Sequence, residues 1–129
     1  MENKINLNHQ IFVSATPVHQ KNHVVVGANH VFSYTITIHN QSSEEVQLIS
    51  RHWFITDGVL GMREVEGEGV VGQQPVLTPG DTFTYESWCP ISEDFGSMSG
   101  YFTFLITRTG EIGYANIDTF LLIPNENLN

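Results

Sequence analysis

Apolar and polar residues alternate with a period of two through most of this chain. The alternation is clearest within residues 31–40, where Phe32, Tyr34, Ile36 and Ile38 alternate with Ser33, Thr35, Thr37 and His39. Successive side chains of a β-strand point to opposite faces, so this pattern predicts a strand with one buried face. Nowhere do apolar residues keep a 3.6-residue period for three turns, as a core-facing helix requires. The chain is therefore predicted to be all β.

Turn signals divide the chain into short strands. Asp57-Gly58 and Pro79-Gly80 are predicted turns, because glycine accepts positive φ and proline presets φ at the first central position. We predict strands over residues 11–18, 24–26, 31–40, 46–56, 62–66, 82–89, 101–107, 112–115 and 117–123. Seven to nine strands at this spacing are typical of an antiparallel β-sandwich.

The length of 129 residues suits one domain with its own core. We expect a single sandwich domain over residues 11–124, preceded by a flexible polar arm over residues 1–10 and followed by a tail over 125–129. The start of the chain has no signal-peptide pattern, and no apolar run approaches the roughly 20 residues that cross a bilayer. We therefore expect a soluble cytoplasmic protein without membrane insertion.

The composition excludes several partners and chemistries. Five Lys and Arg against fourteen Asp and Glu give a formal net charge of −9, and such a surface repels nucleic acids and anionic membranes. Cys89 is the only cysteine, which excludes an internal disulfide and a multi-cysteine zinc site. It shares a strand face with Phe83 and Tyr85, so we predict a small buried side chain rather than a nucleophile.

The stretch over residues 50–72 holds the candidate binding chemistry. Gly67, Gly69 and Gly72 match G-x-G-x-x-G, which in dinucleotide-binding folds opens a helix that seats pyrophosphate. Here a turn and another strand follow, so that mechanism is not available. Loop amides still form anion nests, with Arg51 and Arg63 as counter-charges. We prefer a structural glycine loop and keep a phosphate site as the alternative.

Three carboxylates near this loop disfavour a bound phosphate and could instead bind a metal ion. Glu64, Glu66 and Glu68 recur at period two, and a phosphate 4 Å from each would meet a repulsion of about 1 kcal/mol even in water. From one strand face they offer oxygens to Mg²⁺ or Co²⁺, and are candidate metal ligands. We prefer the alternative of a solvated acidic edge that discourages edge-to-edge pairing.

The two tryptophans are expected in different places. Trp53 alternates with Ile49 and Ile55 and is predicted to lie in the core. Trp88 falls on the face opposite Phe83 and Tyr85. It is the candidate partner-binding residue if exposed, and the alternative is partial cover by the loop over residues 90–97.

Three blocks of sequence carry a family resemblance. They read SRHWFITDG, GEGVVGQQPVLTPGDTFTYESWCP and GSMSGYF, at residues 50–58, 67–90 and 96–102. In order and spacing they closely resemble the ApaG family, most strongly from residue 31 to 110. The resemblance implies an immunoglobulin-like or fibronectin type III-like sandwich. It also implies a link to cobalt resistance and magnesium efflux, and by gene neighbourhood to diadenosine tetraphosphate hydrolysis. Eukaryotic relatives carry the domain in F-box and polymerase-interacting proteins, where it resembles a protein-binding module.

Three functions remain open at this point. We predict a non-enzymatic domain without a cofactor that binds a protein partner of unknown identity. Any role in cobalt resistance or magnesium homeostasis would then be indirect, since a soluble domain does not itself move ions across a membrane. The first alternative is a binder of pyrophosphate or a nucleotide phosphate at residues 67–72. The second is a nucleotide hydrolase, for which the sequence displays no acid–base or metal site.

Overall fold

The computed structural model describes residues 4–125. These residues form nine strands and no α-helix. The strands are β1 (Ile5–Asn6), β2 (Ile11–His19), β3 (His30–Asn40), β4 (Val46–Asp57), β5 (Gly61–Glu68), β6 (Val76–Leu77), β7 (Thr82–Ile91), β8 (Gly96–Ile106) and β9 (Ile112–Leu122). Within that range no helix is long and apolar enough to span a membrane.

The strands form two sheets that enclose one core. The larger sheet has the order β1-β9-β8-β4-β5, with β6 also paired to β4, and the smaller has the order β2-β3-β7. All pairs are antiparallel except β1 with β9. The alternating apolar side chains of both sheets point inward and are buried, including Ile36, Trp53 and Phe102. The predicted β-sandwich is confirmed, and Trp53 lies in its core.

The two sides of the sandwich differ. On one side β2 and β9 pack against each other and close the space between the sheets. On the other side the larger sheet ends at β5 and the smaller at β7. We call this second side, with its edge strands β5 and β7, the open side.

The N-terminal residues depart from the expected flexible arm. Ile5 and Asn6 pair with β9, Leu7 is 3% exposed, and the Leu7 amide donates to the carbonyl of Tyr114 at 2.9 Å. Ile5 also packs against the core. Side chains two residues apart lie on one face of an extended segment. Ile5 and Leu7 therefore both face the core and hold this segment against the sandwich. Residues 1–3 and 126–129 of the predicted arm and tail lie outside the described residues.

Two predicted strand assignments also change. The valines at 24–26 lie in an exposed connection between β2 and β3 rather than in a strand. The two strands predicted over 112–123 are one strand, β9, with a register shift opposite Met98–Gly100. The turn predicted at Pro79-Gly80 is present and has the features of type II, since Asp81 N donates to Thr78 O at 2.9 Å and Gly80 has φ +93°.

Candidate functional site

The glycine loop, residues 67–75, is a short excursion along one edge of β4. The chain leaves that edge at the end of β5 and returns to it as β6. Both ends of the excursion are tied to β4: Gly69 N donates to Ile49 O at 2.8 Å, and Leu48 N donates to Pro75 O at 3.0 Å. The loop therefore bridges two strands that share one neighbour.

The tip of the glycine loop is a two-residue hairpin turn. Val70 N donates to Gln73 O and Gln73 N donates to Val70 O, at 2.8 and 2.9 Å. Between them Val71 and Gly72 have φ of +48° and +77°, which is the signature of a type I′ turn. Gly69 also has positive φ, and a Cβ there would collide with the carbonyl oxygen of Gln73. Gly69 and Gly72 are thus required by the backbone path.

Arg51 holds the loop from one side. Its Nη1 donates to the carbonyl oxygens of Glu68 at 3.0 Å and Gly69 at 2.9 Å. Its guanidinium lies against Gly67, where a Cβ would come within 2.7 Å of Nη2. These contacts give Gly67 a packing role and engage Arg51 with the backbone of the loop itself.

Arg63 lies away from the glycine loop. It stands opposite Ile55 on the inner face of β5, four residues before Gly67. Its Nη2 donates to Pro90 O of β7 at 2.7 Å, and its Nη1 is 3.5 Å from Asp57 Oδ2. Of the two predicted counter-charges, only Arg51 contacts the loop, whereas Arg63 joins the two edge strands of the open side.

The three glutamates of β5 share its outer face. Glu64 lies opposite Phe54, Glu66 opposite His52 and Glu68 opposite Ser50. His52 Nε2 is 2.7 Å from a Glu64 oxygen, and His52 Nδ1 is 3.8 Å from a Glu66 oxygen.

Ligand atoms of His52, Glu64 and Glu66 lie within 4.8 Å of one another, as three groups that share a metal ion must. Glu68 is not part of this group. A set of one imidazole and two carboxylates suits Co²⁺ or Zn²⁺ better than Mg²⁺, which prefers oxygen ligands alone. The sequence reading missed His52 because its place depends on the β4–β5 register. The turn predicted at Asp57-Gly58 indicated a connection between β4 and β5, but not the three-residue connection 58–60 that places His52 opposite Glu66.

A cleft of about 530 Å³ opens between the sheets on the open side. Trp53, Ile55 and Met98 line it from the core, and Val65 and Trp88 line it from the two edge strands. Trp88 is 44% exposed, and its ring centroid lies 4.8 Å from that of His23.

Asp57 anchors the loop between β7 and β8. Its carboxylate accepts hydrogen bonds from the backbone N–H groups of Ser92 and Glu93 and from the Ser92 hydroxyl, at 2.9 to 3.1 Å. Burial acts to raise the pKa of this carboxyl. The hydrogen bonds from Ser92 and Glu93, assisted by the Arg63 charge, outweigh burial and hold the pKa below its usual range.

Exposed apolar side chains surround the cleft and continue past it. A second cleft of about 440 Å³ shares Asp57, Arg63 and Ser92 with the first, so the two form one surface. We call its exposed apolar residues the open-side patch: Val25, Val26, Val59, Leu60, Met62, Val65, Trp88 and Phe95. Leu60 is 92% exposed and Met62 78%. A group of exposed apolar residues on one surface is typical of interaction sites.

Cys89 borders the first cleft but is itself buried. It is 2% exposed and unpaired, as its strand position predicted. Burial raises the pKa of its thiol, and the nearby Arg63 guanidinium, 3.5 Å from Sγ, offsets only part of that effect. The thiol is therefore the dominant form at neutral pH, and it is a poor nucleophile.

Comparison with known proteins shows the family to which this chain is similar. The family model described as the ApaG domain matches residues 20–106. The ApaG protein of Mesorhizobium japonicum is 55% identical over 93 residues, which cover 72% of this chain and 71% of that protein. The ApaG protein of Methylobacterium radiotolerans is 48% identical over 95 residues, covering 74% and 72%.

Solved structures agree in fold. A Bordetella pertussis protein whose crystal structure carries the name ApaA superposes with a TM-score of 0.83 at 41% identity, covering 91% of this chain and 95% of that one. An X-ray structure of a structural genomics target superposes with a TM-score of 0.87 at 32% identity, covering 95% and 93%.

Proposed function

The chain belongs to the ApaG domain family, and we propose that it is a binding domain without catalytic activity that engages a protein partner through its open side. One observation carries this proposal: the open-side patch lies beside the edge of β5 with which no other described strand pairs. Both features are accessible together. A partner that buries the patch can also pair with the strand edge.

The composition of the patch supports a protein partner. Interface cores are enriched in aromatic residues and Met and depleted in charge. The patch offers Trp88, Phe95 and Met62 with Leu60 and the valines. Tryptophan is frequent among the residues whose truncation costs a protein interface most. Asp57 and Arg63 fix the loop and the strand that present these side chains.

We propose for this chain the role in cobalt resistance and magnesium homeostasis that its sequence resemblance implies. We propose that such a role passes through the bound partner, in the cytoplasm. On this proposal, loss of the open-side patch abolishes the cellular effect even when the domain remains folded.

Photo-crosslinking tests the proposal. A photoreactive amino acid replaces Leu60 in the patch or, as a matched control, Leu121, which is 58% exposed and lies on β9, three strands from β5 in the larger sheet. In cells that naturally express the chain, we expect a discrete adduct from position 60 and none from position 121. Excess wild-type chain should suppress that adduct, whereas excess Trp88→Ser chain should not. No discrete adduct from position 60 would contradict the proposal.

A second candidate function is cation binding at His52, Glu64 and Glu66. The observation that favours it is the spacing of their ligand atoms, all within 4.8 Å. We expect calorimetric titration with Co²⁺ to show one site that is lost in His52→Ala and retained in Glu68→Gln, with weaker binding of Mg²⁺. Equal heats for wild type and His52→Ala would exclude this site.

A further inference from the structure

We propose that the partner contributes an extended segment that alternates basic and apolar residues and adds to the larger sheet as a strand beside β5. This inference rests on the proposed function, because it takes the open side as the binding surface. It goes further by stating the backbone conformation and the side-chain pattern that this surface accepts.

The backbone of β5 is available for pairing. β5 has eight residues, and among the described strands only β4 pairs with it. Every second N–H and C=O of an edge strand points away from its neighbour and accepts a further strand. Strand addition of this kind supplies affinity through main-chain hydrogen bonds and specificity through alternate side chains.

The two faces of β5 set the side chains of the added strand. Glu64, Glu66 and Glu68 point outward, and their exposed carboxylates favour Lys or Arg on the neighbouring strand. Val65 points inward to the cleft that Val25 and Trp88 also line, which favours an apolar residue opposite it. Arg63, on the same inner face, is already bound by Pro90 O and lies beside Asp57, so it requires no acidic residue on the added strand. Alternation of basic and apolar residues therefore matches both faces in one register.

The same charges disfavour a second copy of this chain as the occupant. Two copies of β5 that pair in antiparallel orientation, with their outer faces on the same side of the sheet, overlap fully only when the midpoint of the pairing lies near residues 64–66. Centred on Glu64 or on Glu66, it places that residue opposite its own copy. Centred on Val65, it places Glu64 opposite Glu66. Like charges directly opposite each other destabilise a strand pair. The net charge of −9 also favours approach of a basic partner over a second acidic chain.

The test uses synthetic peptides and the full chain. The probe is the peptide KVKVKVK, and binding is followed by fluorescence anisotropy and by the NMR signals of the β5 amides. The comparison peptides are EVEVEVE, the block peptide KKKKVVV, and KVKVKVK carrying N-methyl groups on two consecutive central residues, which blocks both of its edges. We expect KVKVKVK to bind at least tenfold more tightly than each of the three, with shifts concentrated on β5.

A charge-reversal pair supplies the matched variants. Glu64→Lys with Glu66→Lys should weaken KVKVKVK at least tenfold and strengthen EVEVEVE. The control double variant, Glu111→Lys with Asp118→Lys, has the same net charge and alters exposed residues outside β5. It should change the affinity by no more than about twofold at moderate salt. Circular dichroism checks that both variants remain folded.

The outcomes separate this inference from the proposed function. Equal weakening in the two double variants, or equal binding of the N-methylated peptide, would overturn strand addition. An adduct from position 60 together with no KVKVKVK binding at β5 would also overturn it and leave the open side as the binding surface. Absence of that adduct would overturn the proposed function itself.

Discussion

Removal of the Asp57 charge should destabilise the protein by loosening the loop that carries part of the open-side patch. Asp57→Asn keeps the shape of the side chain but replaces a carboxylate oxygen by an NH₂ group. In place of Oδ1 that group faces the N–H donors of Ser92 and Glu93, and in place of Oδ2 it faces the N–H and the hydroxyl of Ser92; in wild type these donors all bind the carboxylate. The substitution therefore removes hydrogen bonds and turns a donor toward other donors.

The size of the effect follows from these contacts. A hydrogen bond to a charged group contributes about 1.5–3 kcal/mol, and the three donors act on one carboxylate, so their contributions do not add. The Asp57 side chain is 12% exposed, which lets water replace part of what is lost. We expect a loss of about 2–3 kcal/mol in the free energy of unfolding, or about 10 °C in Tm for a domain of this size.

The pH dependence provides the sharper test. Folding lowers the pKa of the Asp57 carboxyl, so its contribution is fully present above the unfolded-state pKa of about 3.9. It is lost as the pH falls through the lower folded pKa. Urea denaturation should therefore show a constant difference between wild type and Asp57→Asn from about pH 5 to 8, shrinking below about pH 4.

A matched substitution isolates this carboxylate. Asp118 is exposed on β9, and Asp118→Asn should change the free energy of unfolding by no more than about 0.5 kcal/mol. The predicted stabilisation by Asp57 is refuted if Asp57→Asn costs less than about 1 kcal/mol at pH 7, below the range for one hydrogen bond to a charged group. It is also refuted if the cost is undiminished at pH 3.

Further predictions concern the glycine loop and the buried thiol. Val71 has positive φ, which strains a β-branched residue, and Val71→Asn should raise the free energy of unfolding in urea by about 1 kcal/mol because Asn tolerates this conformation. Val59 lacks positive φ, so Val59→Asn should bring no gain. An equal gain in both variants would refute backbone strain at Val71. A thermal-shift titration with pyrophosphate should show no upshift in wild type if the glycine loop is structural, whereas a saturable upshift that is lost in a still-folded Gly69→Val protein would support the phosphate site. Iodoacetamide should alkylate Cys89 of the native protein at least tenfold more slowly than in urea, in keeping with its buried thiol; equal rates would contradict its burial.

Local pattern predicted much of the fold. The alternation over β3, the turn chemistry of Pro79-Gly80 and the inward positions of Trp53 and Cys89 are properties of neighbouring residues, and the structure agrees with each. The valines at 24–26 show the limit of that approach. Valine has high β propensity, but a strand also requires a neighbouring strand with which to pair. Residue propensity does not predict whether such a neighbour is present.

The candidate site was less accessible from sequence because it depends on pairing between distant segments. The proximity of His52 to Glu64 and Glu66 follows from the β4–β5 register. The open side follows from the sheet order, which places β5 and β7 at free edges 14 residues apart in sequence, from Glu68 to Thr82. Trp88 was identifiable as an outward residue, whereas the cleft beside it was not.

The size of the native complex tests the central claim most directly. The chain is tagged at its own locus, and gentle extracts are analysed by size-exclusion chromatography with light scattering and mass spectrometry. We predict a complex that contains a second protein, reduced to the free chain by Leu60→Ser with Met62→Ser and unchanged by Leu121→Ser, since all three side chains are exposed. A chain that elutes alone, or a complex that survives the double substitution, would contradict partner binding at the open side.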